Sequence, residues 1–214
     1  MTDFDNMTDD EIEAYLAAGE VERPPAPGAA EFGLLMIVSG LLGAFASLQL
    51  LLSQRALESD PFASLSCDVN EILSCSTFLT SWEGNVLGFS NSYLGLVGFA
   101  AMAVMGVYLL VRKALASFMW VAMAAAAAAG VLALAWFQYT SFSAETLCPW
   151  CLVIWVALVP FIVHASGQAH ANLTDGTSRV WRYRWLMIGI WFLALLAFTF
   201  VYFIDTWRVV LGWE

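Results

Sequence analysis

The stretch LCPWC, Leu147 to Cys151, sets two thiols three residues apart around a proline. Proline suits the first turn of a helix, where its missing N–H needs no partner, so Cys148 is expected at or next to the N-cap. Unpaired backbone N–H groups and the positive dipole end there stabilise a thiolate, the species that attacks a disulfide or an electrophilic ring. The spacing also permits a disulfide, because Cα atoms one helical turn apart fall within the allowed ~4.4–6.8 Å. A second pair, Cys67 and Cys75, brackets seven residues in SLSCDVNEILSC. Four cysteines allow three pairings. The local pairing is favoured because both loops it closes are short, but it need not be fixed. A loop that carried Cys75 over Cys148 would pass two electrons from one pair to the other through a mixed disulfide, and a mobile loop suits that relay.

These thiols need elements to hold them, and the composition supplies a bilayer. Of 214 residues, 61% are hydrophobic and 12% charged, about half the charged share of an ordinary soluble domain. Five apolar runs have spanning length: Phe32 to Ser53, Tyr93 to Val111, Phe118 to Tyr139, Leu147 to Val163 and Trp185 to Ile204. The expected fold is all-α and integral to the membrane: a four-helix transmembrane bundle with a fifth transmembrane helix. Residues 1–31 form an acidic cytoplasmic tail, 32–164 the redox bundle, 165–184 a cytoplasmic loop containing His164's neighbour segment and His170, and 185–214 the fifth span with a short outer C-terminus. The tail holds half of the 18 acidic residues, so the net charge of −10 describes mainly the tail. Thr8 with Glu11 predicts a capping box for a short helix there. No basic stripe marks a nucleic-acid partner.

Lysine and arginine are retained on the cytoplasmic side. With the N-terminus inside, Arg23, Arg112, Lys113, Arg179, Arg182 and Arg184 lie inside, against Arg55 and Arg208 outside. All four cysteines then face the outside of the cytoplasmic membrane, where disulfides persist. The outer loop, residues 54–92, far exceeds the usual connection of about 4–6 residues. Its apolar residues Ile72, Leu73, Phe78 and Leu79 can share a face of a short helix, and Val86, Leu87 and Phe89 add a patch, so the loop reads as a lid. Trp120, Trp136, Trp181, Trp185 and Trp207 read as interfacial anchors, Ala124 to Ala129 as close helix packing and no site, and His164 and His170 as ordinary inner-loop residues.

Electrons reaching Cys151, one turn deeper than Cys148, meet no haem or flavin motif, and a lipid-soluble quinone is the natural sink. Rival readings lack their signatures. A transporter would place ionisable groups within the spans, and the five runs contain none. A zinc site would bring two close-spaced pairs, and only Cys148 with Cys151 is close, so no metal is expected. A disulfide-stabilised scaffold has no use for a helix start that favours a thiolate.

CDVNEILSCS, then GNVLGFSNSYLG, then LCPWCLVIW together resemble the vitamin K epoxide reductase family, in its bacterial branch devoted to disulfide formation, over roughly residues 32–164. The resemblance implies four helices around a quinone, menaquinone or ubiquinone, capped by the outer loop. It implies that Cys67 takes electrons from a thioredoxin-fold protein, that Cys75 pairs with it and exchanges with Cys148, and that Cys151 contacts the quinone. Asn91 matches an asparagine that hydrogen-bonds a quinone carbonyl, and Asp68 an acidic residue beside the first loop cysteine. Where vertebrate members carry a quinone-pocket tyrosine, this chain has Trp155, whose indole stacks and donates but brings no phenol hydroxyl. That exchange weighs against epoxide reduction. Many bacterial relatives fuse a thioredoxin-like domain after a fifth span; here about ten residues follow it, so the partner is expected to be a separate extracytoplasmic chain with its own C-x-x-C pair. The expected activity is thiol:quinone oxidoreduction that drives disulfide formation, because a quinone pool that is continually reoxidised pulls electrons inward. The alternatives are a quinone or quinone-epoxide reductase whose product is the reduced quinone, and the scaffold.

Overall fold

In a computed structural model, the described residues are Thr8, 28–70, 72–112, 115–174, 178–204 and Arg208. The short helix expected after Thr8, and Trp207, lie outside them. Among the described residues, five helices are long and apolar enough to cross a membrane: α1 (Ala29–Ser59), α3 (Asn91–Arg112), α4 (Ser117–Ser143), α5 (Pro149–Leu173) and α7 (Arg184–Tyr202). The four-residue helices α2 (Ser76–Leu79) and α6 (Arg179–Arg182) lie in connections. The chain is a multi-pass membrane protein.

α1 packs on α3 and α5, and α4 packs on α5. The α1–α3 contact is backbone to backbone. A Cβ on Gly40 would meet Ala103 N at 2.6 Å and Phe99 O at 2.7 Å, and one on Gly106 would meet Gly33 O at 2.7 Å. Without a hydrophobic drive between helices in lipid, dispersion across such close small-residue seams holds the pair together.

Three boundaries differ from the sequence expectation. At 31 residues, α1 is about 46 Å long, well over the ~30 Å of a hydrocarbon core. It therefore takes up Glu31 at one end and Arg55 at the other, shortening both the tail and the outer loop. α5 continues to Leu173, so the segment read as a loop from residue 165 is helical over its first half. Within the outer connection, the short helix holds Phe78 and Leu79 but not Ile72 and Leu73, which precede it in extended chain.

His164 is consequently a helical residue and fully buried, not a loop side chain. Its ring stacks on Phe32 at 6.3 Å and meets the edges of Trp181 and Trp185. Beside it Glu31 accepts both guanidinium hydrogen bonds of Arg184, at 3.0 and 2.6 Å, and one from Trp185 Nε1 at 3.0 Å. This cluster clamps the start of α7 to α1 and α5, which matters because α7 otherwise buries little: only Ile188 of that helix is buried. Arg184→Leu is expected to destabilise the protein by about 1.5–3 kcal/mol, the usual worth of hydrogen bonds to a charged group. The measurement is Tm in detergent, and an unchanged Tm would show that the clamp does not hold the fold. Trp120, read as an interfacial anchor, is 2% exposed and belongs to the core; membrane-end position alone did not distinguish it from a belt residue.

Candidate active site

The connection between α1 and α3 is stitched to the start of α5. Leu73 and Leu147 form a parallel bridge, with Leu147 N–H donating to Ile72 O at 2.6 Å and Ser74 N–H to Leu147 O at 3.1 Å. Because the two segments run the same way, the residues just beyond the bridge, Cys75 and Cys148, come out side by side. Asn70 shapes the approach: its side-chain oxygen accepts from the N–H groups of Ile72 and Leu73 at 3.0 and 2.8 Å, a turn that mimics backbone. The chain thereby doubles back, bringing the Cα atoms of Cys67 and Cys75 to 5.8 Å with the disulfide formed between them.

Asp68 fixes Cys75. Its Oδ1 accepts from Cys75 N–H at 2.7 Å, Ser76 N–H at 3.1 Å and the Ser74 hydroxyl at 2.9 Å, so it caps the helical turn that Cys75 opens. Partial burial pushes the Asp68 carboxyl up, but the hydrogen bonds from Ser76, Ser74 and Cys75 outweigh it and hold the group below the ordinary aspartate value.

Of the two local disulfides favoured from spacing, one is present; Cys148 and Cys151 are free, buried thiols. Cys148 is the N-cap of α5 with Pro149 following it, as the motif predicts, and its Sγ accepts from Cys151 N–H at 3.4 Å. The same Sγ lies 3.4 Å from Cys75 Sγ.

Cys151, but not Cys148, lines an apolar cavity of about 970 Å³, at the large end of ligand pockets. Its walls include Cys151 and Trp155 from α5, Leu79 and Leu87 from the connection, Phe99 from α3 and Ala129 from α4. Trp155 lies four residues beyond Cys151 and thus on the same face of α5; it is 2% exposed. Asn91, the first residue of α3, also lines the cavity, and its side-chain N–H donates to Glu83 O at 2.7 Å. A carboxamide has two N–H donors, so that bond orients the group and leaves the second donor over. The cavity suits a flat apolar ring with polar edges: the walls supply dispersion and an indole, and the few polar groups include Asn91 and Ser92.

The structure thus brings Cys75, Cys148 and Cys151 into one line and places Asn91, Trp155 and Cys151 on one cavity. Cys67 and Asp68 stand behind Cys75, away from the cavity walls. Sequence reasoning gave the alanine run to helix packing alone, yet Ala126 and Ala129 line the cavity while Ala127 sits in the core.

Among known proteins, comparison with curated sequences and with solved structures found no match. The family model described as the vitamin K epoxide reductase family matches residues 34–166, more than half of the chain and every residue of the site just described. With both cysteine pairs and the cavity inside that match, the chain belongs to the vitamin K epoxide reductase family, whose members are membrane oxidoreductases that link thiols to quinones.

Proposed function

We propose that this protein oxidises the dithiol of a separate extracytoplasmic thioredoxin-fold protein and passes the electrons to a membrane quinone, driving disulfide formation. One observation carries the reading: Cys148 Sγ stands 3.4 Å from Cys75 Sγ while its neighbour Cys151 lines the apolar cavity, so the motif touches both a disulfide and a ring-sized site.

The steps balance. A partner thiolate attacks Cys67, breaking the Cys67–Cys75 bond and releasing Cys75 as a thiolate; the partner's second thiol then clears Cys67. Cys75 attacks Cys148 of an oxidised Cys148–Cys151 pair, forming the Cys75–Cys148 disulfide and freeing Cys151. Cys67 attacks Cys75, restoring the loop disulfide and leaving Cys148 and Cys151 both reduced, the state seen in the structure. A quinone in the cavity supplies the acceptor of two electrons and two protons. Cys148 and Cys151 give these up and close their own disulfide. Cys148 is the leaving group of the exchange and the attacked sulfur in the next cycle, and its place at the N-cap of α5 favours the departing thiolate. Asn91 and Trp155 orient the ring by hydrogen bonding and stacking, and the connection excludes water from above. Six positive residues against two favour an orientation with the cysteines outside, where the partner would have access.

The experiment is anaerobic: purified protein in detergent, a reduced thioredoxin-fold protein, a short-chain ubiquinone or a naphthoquinone, and the quinone absorbance followed in time. Catalytic consumption of quinone matched one to one by partner disulfide supports the reading. Partner that stays reduced while small thiols still reduce the quinone would replace it with a quinone reductase.

A further inference from the structure

A second cavity, of about 340 Å³, opens between the connection and the C-terminal end of α4, with Cys148 in its wall. Unlike the large apolar one, it is lined by hydroxyls and by two aromatic residues that stand 65% and 69% exposed, Trp82 and Tyr139. The hydroxyl protons of Ser81, Thr140 and Thr146 go to the carbonyls of Phe78, Phe137 and Ala144 at 2.9, 3.1 and 3.1 Å, so toward a ligand these groups offer oxygen acceptors. Among the described residues, no lysine, arginine or histidine lines the space, whereas Glu83 does, and no ion pair engages it.

The end of α4 adds a second carboxylate. Glu145 N–H donates to Phe142 O and Thr146 N–H to Ser141 O, each at 3.1 Å, the paired bonds that close a helix through a left-handed residue. That position ordinarily belongs to glycine. Glu145 holds it at φ 51°, and among the described residues no other non-glycine has a positive φ. Its neighbours Ala144 and Thr146 both line the cavity, so an exposed carboxylate stands at the rim at a conformational cost that glycine would spare.

Resting on the partner reading above, we infer that this cavity receives a guanidinium of the thioredoxin-fold partner, an arginine side chain that seats the partner beside the exchange site. A guanidinium carries five N–H donors and no acceptor and stacks on aromatic faces, which matches oxygen acceptors and two aromatic residues set between two carboxylates. The volume, at the small end of ligand pockets, has room for one long side chain. Thr77, from the turn that Cys75 opens, is in the same wall, so a partner anchored here lies against the turn that carries the loop disulfide. The anchor holds the partner by charge and takes no part in the electron transfer.

Glu83→Gln and Glu145→Gly test this in the quinone assay above. With the reduced thioredoxin-fold protein as donor, each should raise KM about three- to tenfold with kcat unchanged, the worth of a charge at the rim of an interface, and the double variant should raise it further. With dithiothreitol as donor, turnover should not change. Glu145→Gly also relieves a left-handed residue of its side chain, so its Tm should hold or rise while its KM rises, a combination that lost structure does not give. Nα-acetyl-arginine amide should compete with the protein donor in the wild type, and its neutral isostere Nα-acetyl-citrulline amide should not. Unchanged KM in both variants, or equal inhibition by the two amides, would overturn the inference. Equal losses with both donors would do so too, by assigning the carboxylates to the fold. If dithiothreitol served the wild type and the protein donor did not, the partner reading would fall and this anchor with it; protein-driven turnover that neither variant weakens would remove the anchor alone.

Discussion

Cys151→Ala is expected to abolish quinone reduction, by a factor on the order of 10³ or more, and to accumulate a disulfide between Cys75 and Cys148. The two effects share one cause. Cys148 already lies 3.4 Å from Cys75, so its thiolate can displace Cys67 from the loop disulfide, forming the Cys75–Cys148 bond and releasing the Cys67 thiol. This exchange conserves electrons and needs no acceptor. In the wild type, Cys151 also drains the crossed disulfide by attacking Cys148; in the variant only Cys67 can reverse it, by attacking Cys75, so alkylation of the released Cys67 traps the link. Peptide mapping under partial reduction reads the link and quinone absorbance reads the rate. Turnover retained in the variant would remove Cys151 from the site, and a variant with no crossed peptide would sink the relay even if turnover were lost.

The second large effect belongs to a residue that no electron visits. Asp68→Ala removes the acceptor shared by Cys75 N–H, Ser76 N–H and the Ser74 hydroxyl, so Cys75 loses the anchor that keeps it at Cys148. Partner-driven turnover should fall about tenfold to a hundredfold, roughly 1.4–2.8 kcal/mol of barrier. A small dithiol that reduces Cys148–Cys151 directly bypasses the loop and should support unchanged quinone reduction. Equal losses with both donors would mean that Asp68 supports the whole site and not the exchange alone. The pH dependence has a definite sign. The folded carboxyl titrates below its ordinary value, so the anchoring is complete above the ordinary carboxylate pKa and is lost as pH falls through the lowered folded one. Partner-driven turnover should show this acid limb in the wild type, and Asp68→Asn should lack it.

The placement of the cysteines was legible in the sequence because such residues are rare in type and fixed in spacing. The Cys148 N-cap with Pro149 after it stands as the motif predicts, and the five apolar runs became five helices. What escaped was decided by which face of a helix looks where. In a soluble bundle, apolar periodicity marks the core; in lipid, the face toward the bilayer is as apolar as the core and as the wall of a cavity, so the pattern carries little contrast. Trp120 and Trp136 read alike, yet the first is buried in the core and the second lines the cavity. Ala127 and Ala129 are two steps apart in one alanine run and serve different surfaces. His164 was misplaced for another reason: α5 runs past the end of its apolar stretch because Glu31, Arg184 and the tryptophans around them shelter its last turns.

The parallel bridge between Leu73 and Leu147 bears on how fast electrons can move. A free loop would have to search for Cys148 by diffusion, and its rate would fall as the solvent thickened. The bridge hydrogen bonds, with Asp68 behind them, instead hold the register so that Cys75 presents itself at a constant, very high effective molarity. In the proposed relay, passing the disulfide on then asks for little more than rotation of cysteine side chains about χ1, motion on the picosecond-to-nanosecond scale. The exchange step should accordingly be indifferent to glycerol, leaving partner docking as the step of the cycle that viscosity slows.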